Sequence, residues 1–319
     1  MRLFTNSLSG TFVSRPNRFV VEVETSKGLV RAHCPNPGRL TEILVPGRSL
    51  ILERSETACR ALPYTLAAAR YRGKIIPLVS VKANAVAERF VVPRLYPEGS
   101  VIRREAVHGG SRFDFMVTDG TTSGYVEVKS CTLCEYGRGM FPDAPTTRGE
   151  RHVRELAGLS VSGLRGDALF MVSHPDVSVF SPNIHTDPEF SRTLLCVRET
   201  VGLHAWKYSV DEEGTVEGAE EIPVDLSPAE LVERNGGFYL LVLAFPEKRL
   251  ISTGALGAVE YSAGFYVYVG SAARNLTQRT ARHLRKRKKV HWHIDYISAE
   301  APKIAAFPIF SAYDHECEL

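Results

Sequence analysis

Residues 110–154 constrain this chain more than any other stretch. Two short apolar runs, 113–118 and 125–130, flank a loop of Asp119, Gly120, Thr121, Thr122, Ser123 and Gly124. Runs of that length, separated by turn-forming residues, predict the two strands of a hairpin. The first carries Asp114. The second carries Glu127 and Lys129, which share a strand face because they lie two residues apart. Twelve residues separate Asp114 from Glu127, the length a hairpin needs to bring both to one point. Two carboxylates beside a lysine suit a hard divalent cation, Mg²⁺ or Mn²⁺, which takes few carboxylates and keeps several waters. The metal stabilises a charged phosphoryl transition state, and the lysine holds or deprotonates the attacking water. The same residues also suit a plain salt bridge, Glu127 with Lys129, on a solvated strand face.

At 319 residues the chain allows two or three domains, and 44% hydrophobic with 24% charged content is an ordinary globular balance. The longest apolar run, 238–245, is too short to span a bilayer, and the opening M-R-L-F-T-N-S lacks the apolar core of a signal peptide. The expectation is a cytoplasmic protein with no membrane partner. Cys131 and Cys134 form a lone Cys-x-x-Cys with no second pair, so packing is expected of them, not zinc or redox chemistry.

The net charge of +3 hides a partition. Residues 1–82 hold thirteen Lys and Arg against five Asp and Glu, residues 83–226 fourteen against twenty-two, and residues 227–319 twelve against nine. Basic modules suit a polyanion such as nucleic acid. These limits are the expected domain boundaries.

Residues 11–82 read as short strands separated by turns, the pattern of a small barrel. Barrels of this kind bind single strands through a basic groove, which makes Arg15, Arg18, Arg31 and Arg39 candidates for phosphate contact. In the second module, 83–90 and 146–159 read as helices, 101–107, 168–173, 194–197 and 203–208 as strands, together an α/β core. Along the second helix Arg148, His152 and Glu155 lie on one flank, while Val153, Leu156 and Leu159 face a core. Arg148 and His152 are candidates to hold a phosphate. The acidic stretch 210–227 reads as an exposed hairpin tip or linker.

In the third module, 236–243 and 264–270 read as strands, followed by a helix over 275–285 with Leu276, Thr280 and Leu284 as its core stripe. Residues 274–289 hold eight Lys and Arg and no acid, so Arg282, Arg285 and Lys286 are candidate nucleic-acid contacts. If 291–296 is a strand, His291, His293 and Asp295 share one face, which could bind a metal or supply an acid or base.

Three resemblances add to this reading. Asp114…Glu127-Val128-Lys129 resembles the active site of the PD-(D/E)xK nuclease superfamily. In such folds an upstream acid can join the metal site, here Glu105. Cys34-Pro35-Asn36-Pro37-Gly38-Arg39-Leu40, and Phe141-Pro142-Asp143-Ala144-Pro145-Thr146-Thr147-Arg148-Gly149, resemble signatures of the sugar fermentation stimulation protein family. That resemblance spans about residues 12–205. It implies an N-terminal OB-like β-barrel, an α/β nuclease-like domain and DNA binding. The order G-F-Y, Y-V-G and an Arg-rich helix resembles the GIY-YIG nuclease core, which implies a C-terminal α+β domain with Tyr239, Tyr268 and Arg279 lining its site. The chain departs from that pattern in the twenty-eight residues between the two tyrosines and in its metal-binding glutamate, for which Glu300 is the nearest candidate. The resulting expectation is a metal-dependent nuclease, endonuclease rather than exonuclease, acting on DNA, with RNA possible. Asp114 and Glu127 would hold the metal and Lys129 would assist the water. The alternative is a non-catalytic DNA-binding regulator of sugar metabolism genes. The sequence does not fix the oligomeric state.

Overall fold

The computed structural model describes residues 1–55 and 61–312, which form two compact units, the first ending at residue 226 and the second beginning at residue 227. The first unit begins with six strands: β1 (Leu8–Asn17), β2 (Val20–Thr25), β3 (Gly28–His33), β4 (Ser49–Arg54), β5 (Tyr64–Tyr71) and β6 (Lys74–Pro77). Alternation builds them: on β2, Val21 and Val23 point into the core and Glu22 and Glu24 away from it. The strands run in the order β3-β2-β1-β4-β5, and a parallel pairing of β3 with β5 closes them into a five-stranded barrel with β6 added outside β5. This is an OB domain.

A helical segment follows, α1 (Lys82–Val86), a π-helical turn (Ala87–Val91) and α2 (Val92–Leu95). It leads to a sheet of β7 (Val101–His108), β8 (Ser111–Thr118), β9 (Ser123–Cys131), β12 (Arg165–Val172), β14 (Gly202–Lys207) and β15 (Glu220–Ile222). Its order is β15-β14-β12-β9-β8-β7, with β9, β12 and β14 parallel and the outer strands antiparallel. The strand β12 is buried along nearly its whole length, as a parallel strand covered on both faces must be. A smaller sheet holds β10 (Leu133–Glu135), β11 (Arg138–Phe141) and β13 (Val179–Pro182).

One face of the six-stranded sheet packs on α3 (Thr147–Leu159) and α4 (Pro188–Val197), with Val153, Leu156, Phe190 and Leu194 in the core. Asp187 organises both helix starts: its Oδ2 accepts the Thr146 N–H at 2.7 Å and its Oδ1 caps the Phe190 N–H at 3.0 Å. Residues 194–197, expected as a strand, are therefore the last turn of a helix begun by Asp187-Pro188. The other face shares a core with the barrel, in which Ile51, Ala68 and Ile75 meet Val128, Leu169 and Met171.

The acidic stretch expected as a loose linker is anchored. Val216 is fully buried, and the backbone of Met1 and Leu3 bonds to Val216 and Gly214.

The second unit starts with α5 (Ser227–Arg234) and carries a three-stranded antiparallel sheet, β19-β16-β20, of β16 (Gly237–Phe245), β19 (Gly264–Ala272) and β20 (Lys303–Phe310). A hairpin of β17 (Arg249–Ser252) and β18 (Ala258–Tyr261) lies between β16 and β19, and helices α6 (Leu276–Leu284) and α7 (His293–Glu300) complete an α+β, GIY-YIG-like domain. Two expectations change here. On α6 the inward row is Leu276, Thr280 and His283, at i, i+4 and i+7, and Leu284 is left 43% exposed. Residues 293–300 are helical because Asp295 accepts the N–H groups of His291 and Trp292 at 2.8 and 3.0 Å. So His291, His293 and Asp295 share no strand face: both histidines are exposed and Asp295 is buried. The expected tail beyond residue 312 lies outside the described residues.

Candidate active site and nucleic-acid interface

The ladder between β8 and β9 runs from Thr118 opposite Ser123 to Phe115 opposite Val126, and stops one step before Asp114 would meet Glu127. There a side chain replaces the missing rung: Asp114 Oδ2 accepts the Val128 N–H at 2.7 Å, and Asp114 Oδ1 accepts from Asn84 Nδ2 on α1 at 2.7 Å. Burial raises the Asp114 pKa, and the neighbouring Glu127 carboxylate raises it further. Glu127 is buried beside it, 6% exposed. Its Oε1 takes two cations or donors at once, Lys129 Nζ at 2.7 Å and His152 Nδ1 at 2.6 Å. Because a carboxylate only accepts, Nδ1 is the ring nitrogen that donates in this contact.

The structure thus brings together Asp114, Glu127 and Lys129. It corrects His152, which is 2% exposed with its ring against Glu127, and so offers no surface to a phosphate. The sequence carried the signal: His152, Leu156 and Leu159 form one i, i+4, i+7 row, so the histidine belongs to the buried stripe. Asn84 gave no such signal. Glu105, at φ 53°, stands opposite Asp114 in an unshifted β7–β8 register but is not itself paired in the ladder; its carboxylate is paired with Arg112 at 3.0 Å and is mostly exposed. Among the described residues, no group of three or more His, Cys, Asp or Glu side chains converges as a metal site. Cys131 and Cys134 are free thiols, the first fully buried.

The barrel arginines divide. Arg15 is corrected as a phosphate contact: its guanidinium donates to the carbonyls of Arg18, Asn36, Gly38 and Arg39 at 2.7 to 2.9 Å. It clamps the Pro-Asn-Pro-Gly turn instead. Arg18 stacks on Phe19 at 4.6 Å, Arg31 stands 3.7 Å from Glu22, and Arg39 is exposed. Arg148 is exposed at the start of α3.

In the second unit, Tyr239 is buried and its hydroxyl meets His283 Nε2 at 3.1 Å. The Tyr268 ring lies 6.2 Å away and Arg279 is within reach of the same hydroxyl. Burial first, then Tyr268, pushes the Tyr239 pKa up to about 12. Gly270 is required here, because a Cβ would collide with the Tyr239 ring. Arg279 also donates to the Ser271 carbonyl at 2.7 Å and stacks on Trp292 at 5.0 Å. Arg282 is corrected as a free contact: it forms a two-pronged pair with buried Asp295 at 3.0 and 2.7 Å. Lys286 bonds the carbonyls of Ser298 and Ala301, while Arg285 is exposed. Glu300 is exposed at the last turn of α7.

A closed OB barrel sharing its core with an α/β sheet that holds paired carboxylates and a lysine defines a class of two-domain proteins, an OB barrel joined to an α/β domain. Family models match the chain in that order: "SfsA N-terminal OB domain" over residues 13–78, "Sugar fermentation stimulation protein RE domain" over 80–214, and "Domain of unknown function DUF123" over 238–319. A sugar fermentation stimulation protein homolog of Thermoanaerobacter sp. (strain X514) is 39% identical over 209 residues, 63% of this chain and 89% of that one. One from Methanobrevibacter smithii is 34% identical over 232 residues, 69% of this chain and 96% of that one. A solved structure, Pyrococcus furiosus SfsA in complex with Ca²⁺, is 31% identical with a TM-score of 0.62, covering 70% of this chain and 99% of that one. The chain belongs to the sugar fermentation stimulation protein family. No helix among the described residues is long and apolar enough to cross a membrane.

Proposed function

We propose that this protein is a divalent-metal-dependent nuclease acting on DNA, with its reacting centre at the opening of the β8–β9 ladder. The single observation that carries the reading is the junction of Asp114 and Glu127, a half-buried and a buried carboxylate close enough for one to raise the other's pKa. Two carboxylates beside one lysine favour a bound cation, and an oxygen donor set favours a hard one, Mg²⁺ or Mn²⁺. The Pyrococcus furiosus relative's Ca²⁺ is an ion with the same preference for oxygen.

Asp114 and Glu127 would hold the metal, which supplies charge stabilisation at the phosphoryl group and a more acidic bound water. The chain's own residues set the rest. Asn84 and the Val128 N–H fix the Asp114 carboxylate. His152 and Lys129 share one oxygen of Glu127, which fixes that carboxylate's plane. The Lys129 ammonium, on the same strand face, is placed to orient the attacking water. Exposed Arg39 and Arg148 are the arginines of the first unit best placed to meet the strand's phosphates. In the second unit, Tyr239, Tyr268 and Arg279 form a separate candidate phosphodiester site.

A second reading, a DNA-binding protein without catalysis, is favoured by the absence of a third converging metal ligand among the described residues. Cleavage of labelled single- and double-stranded DNA and RNA, with Mg²⁺, Mn²⁺ or EDTA, decides between them. Metal-dependent cutting that disappears in Glu127→Ala supports catalysis in the first unit. Cutting that disappears only in Arg279→Ala moves it to the second. Tight binding with no cutting under any condition leaves the binding reading.

A further inference from the structure

Two hairpins, one from the barrel and one from the nuclease-like domain, line the same cavity. Strand β5 turns into β6 through Arg72-Gly73, and β10 into β11 through Tyr136-Gly137. All four residues have positive φ, 49° and 74° in the first turn, 49° and 76° in the second. This is the twist that tight hairpins prefer, but its first position favours Asn, Asp or Gly. An arginine or tyrosine there is strained, because its Cβ crowds the backbone at positive φ. Folding requires neither side chain at these tips, and strain retained at a cavity points to use of the side chain.

The cavity has a volume of about 390 Å³. It lies past the carboxyl ends of the parallel strands β9 and β12, the crevice where α/β sheets bind ligands. The barrel contributes Glu42, Tyr71 and Arg72; the nuclease-like domain contributes Glu135, Tyr136 and His174. The Tyr136 side chain is fully exposed. The Tyr71 ring carries the Arg48 and Arg72 guanidinium groups at 4.7 and 5.1 Å and meets the His174 ring edge-on at 5.9 Å.

Two buried polar atoms in this lining have no protein partner, Glu42 Oε1 and His174 Nε2. His174 is only 4% exposed. Its Nδ1 accepts the Asp176 N–H at 3.3 Å, so in the neutral ring Nε2 carries the hydrogen. The residues lining the cavity therefore hold one orphan acceptor and one orphan donor just beneath its surface. A ligand whose edge reaches them would supply the partners that the protein does not.

The charges narrow the ligand. Glu42, Glu135 and Asp176 disfavour a phosphate inside the cavity, and Arg72 with the His174 N–H disfavours a small cation. What fits is a flat neutral group with a donor next to an acceptor. We propose that this cavity receives an unpaired nucleobase, stacked on Tyr136, with Glu42 Oε1 accepting a base N–H, His174 Nε2–H donating to the adjacent ring nitrogen or carbonyl, and Arg72 reaching the flanking phosphate. The proposal rests on the nucleic-acid reading above and adds to it that the bound strand is single or locally unpaired at this point.

The test is binding of a single-stranded oligonucleotide carrying one 2-aminopurine, in EDTA so that nothing is cut, read by anisotropy and by fluorescence quenching. The expected result is quenching by the wild type, with affinity about tenfold weaker in Tyr136→Ala, the loss typical of one stacked base, and retained in Tyr136→Phe. Glu42→Gln weakens binding as well, and binding of a fully paired duplex does not change in Tyr136→Ala. Because Tyr136 is exposed, its loss does not threaten the fold. Wild-type affinity and quenching in both Tyr136→Ala and Glu42→Gln overturns the proposal, and metal-dependent cutting that still requires Glu127 would leave the nuclease reading standing. Quenching lost in Tyr136→Ala in a protein that never cuts supports the pocket and sinks the nuclease reading. A wild type that binds no oligonucleotide overturns the pocket, and the nuclease reading falls with it only if cutting in Mg²⁺ and Mn²⁺ is absent as well.

Discussion

The carboxylate of Asp143 lies against the α-carbon of Gly38, so close that a Cβ at position 38 would overlap it. Burial raises the Asp143 pKa, while the backbone N–H groups of Leu40 and Arg39 bond to its carboxylate and hold the charge. The two motifs picked out in the sequence are thus one contact, a turn of the barrel seated on a loop of the nuclease-like domain. Gly38→Ala is expected to destabilise the first unit by about 1–3 kcal/mol, since the half-buried Asp143 carboxylate must move out of its hydrogen bonds. Asp143→Ala, which leaves the amides of Arg39 and Leu40 without that acceptor, is expected to cost a similar amount. Denaturant unfolding monitored by circular dichroism checks both; midpoints equal to the wild type in the two variants would refute the contact.

Metal binding should show as stability. A ligand at a hundred times its dissociation constant stabilises the native state by about 2.7 kcal/mol. Mn²⁺ is therefore expected to raise the melting temperature of the first unit in the wild type, and neither Asp114→Asn nor Glu127→Gln should respond. Differential scanning calorimetry with and without Mn²⁺ measures this, and a shift retained in both variants places the metal elsewhere.

His152 should act through Glu127. His152→Ala removes a buried ring and one of two partners of Glu127 Oε1, for an expected cost of about 2–4 kcal/mol. His152→Asn, able to donate toward the same oxygen, is expected to recover part of that loss. Chemical denaturation of the three proteins is the measurement. Equal stability of the Ala and Asn variants would deny the hydrogen bond its role.

The second unit should lose stability in acid in two steps. Burial, outweighing Asp295 at 3.4 Å, lowers the His283 pKa to about 4, below its usual 6.5. The unfolded chain then binds the proton first, so stability falls as pH drops from about 6.5 to about 4. Asp295 is pushed up by burial but pulled further down, to about 2, by Arg282 and the N–H groups of Trp292 and His291. Its contribution is present above about 4 and is lost as pH falls toward 2. Thermal melts of residues 227–319 within the full chain, recorded from pH 7 to 3, test this. A melting temperature flat between pH 6.5 and 4.5 would contradict the His283 assignment.

Much of the architecture was legible because local patterns and tertiary needs agree. Strand alternation marks the barrel, the Asp119–Gly124 turn sets the hairpin, and Thr146 with Gly149 starts α3. The central triad was legible because side-chain period and loop length fix Asp114, Glu127 and Lys129 on one hairpin. The failures have local causes. Residues 194–197 are apolar enough for a strand, yet Asp187-Pro188 seven residues upstream had already begun a helix. Residues 291–296 alternate like a strand, but the Asp295 side chain captures two backbone N–H groups and turns the chain. Arg15, His152 and Arg282 read as basic and therefore as phosphate contacts. Each instead spends its donors inside the protein, on carbonyls or on a single buried carboxylate, which charge counting does not reveal. The orphan atoms of Glu42 and His174 belong to different domains, and only the folded chain brings both residues into the lining of one cavity.

The shared core of the barrel and the nuclease-like sheet bears on what can be recombined. Ile51, Ala68 and Ile75 have their apolar partners on β9 and β12, so a gene truncated near codon 80 would encode a barrel with a bare oily wall. The described residues of the second unit, 227–312, form a compact body with their own sheet and helices, so the chain reads as one inseparable two-domain block followed by a self-contained cassette.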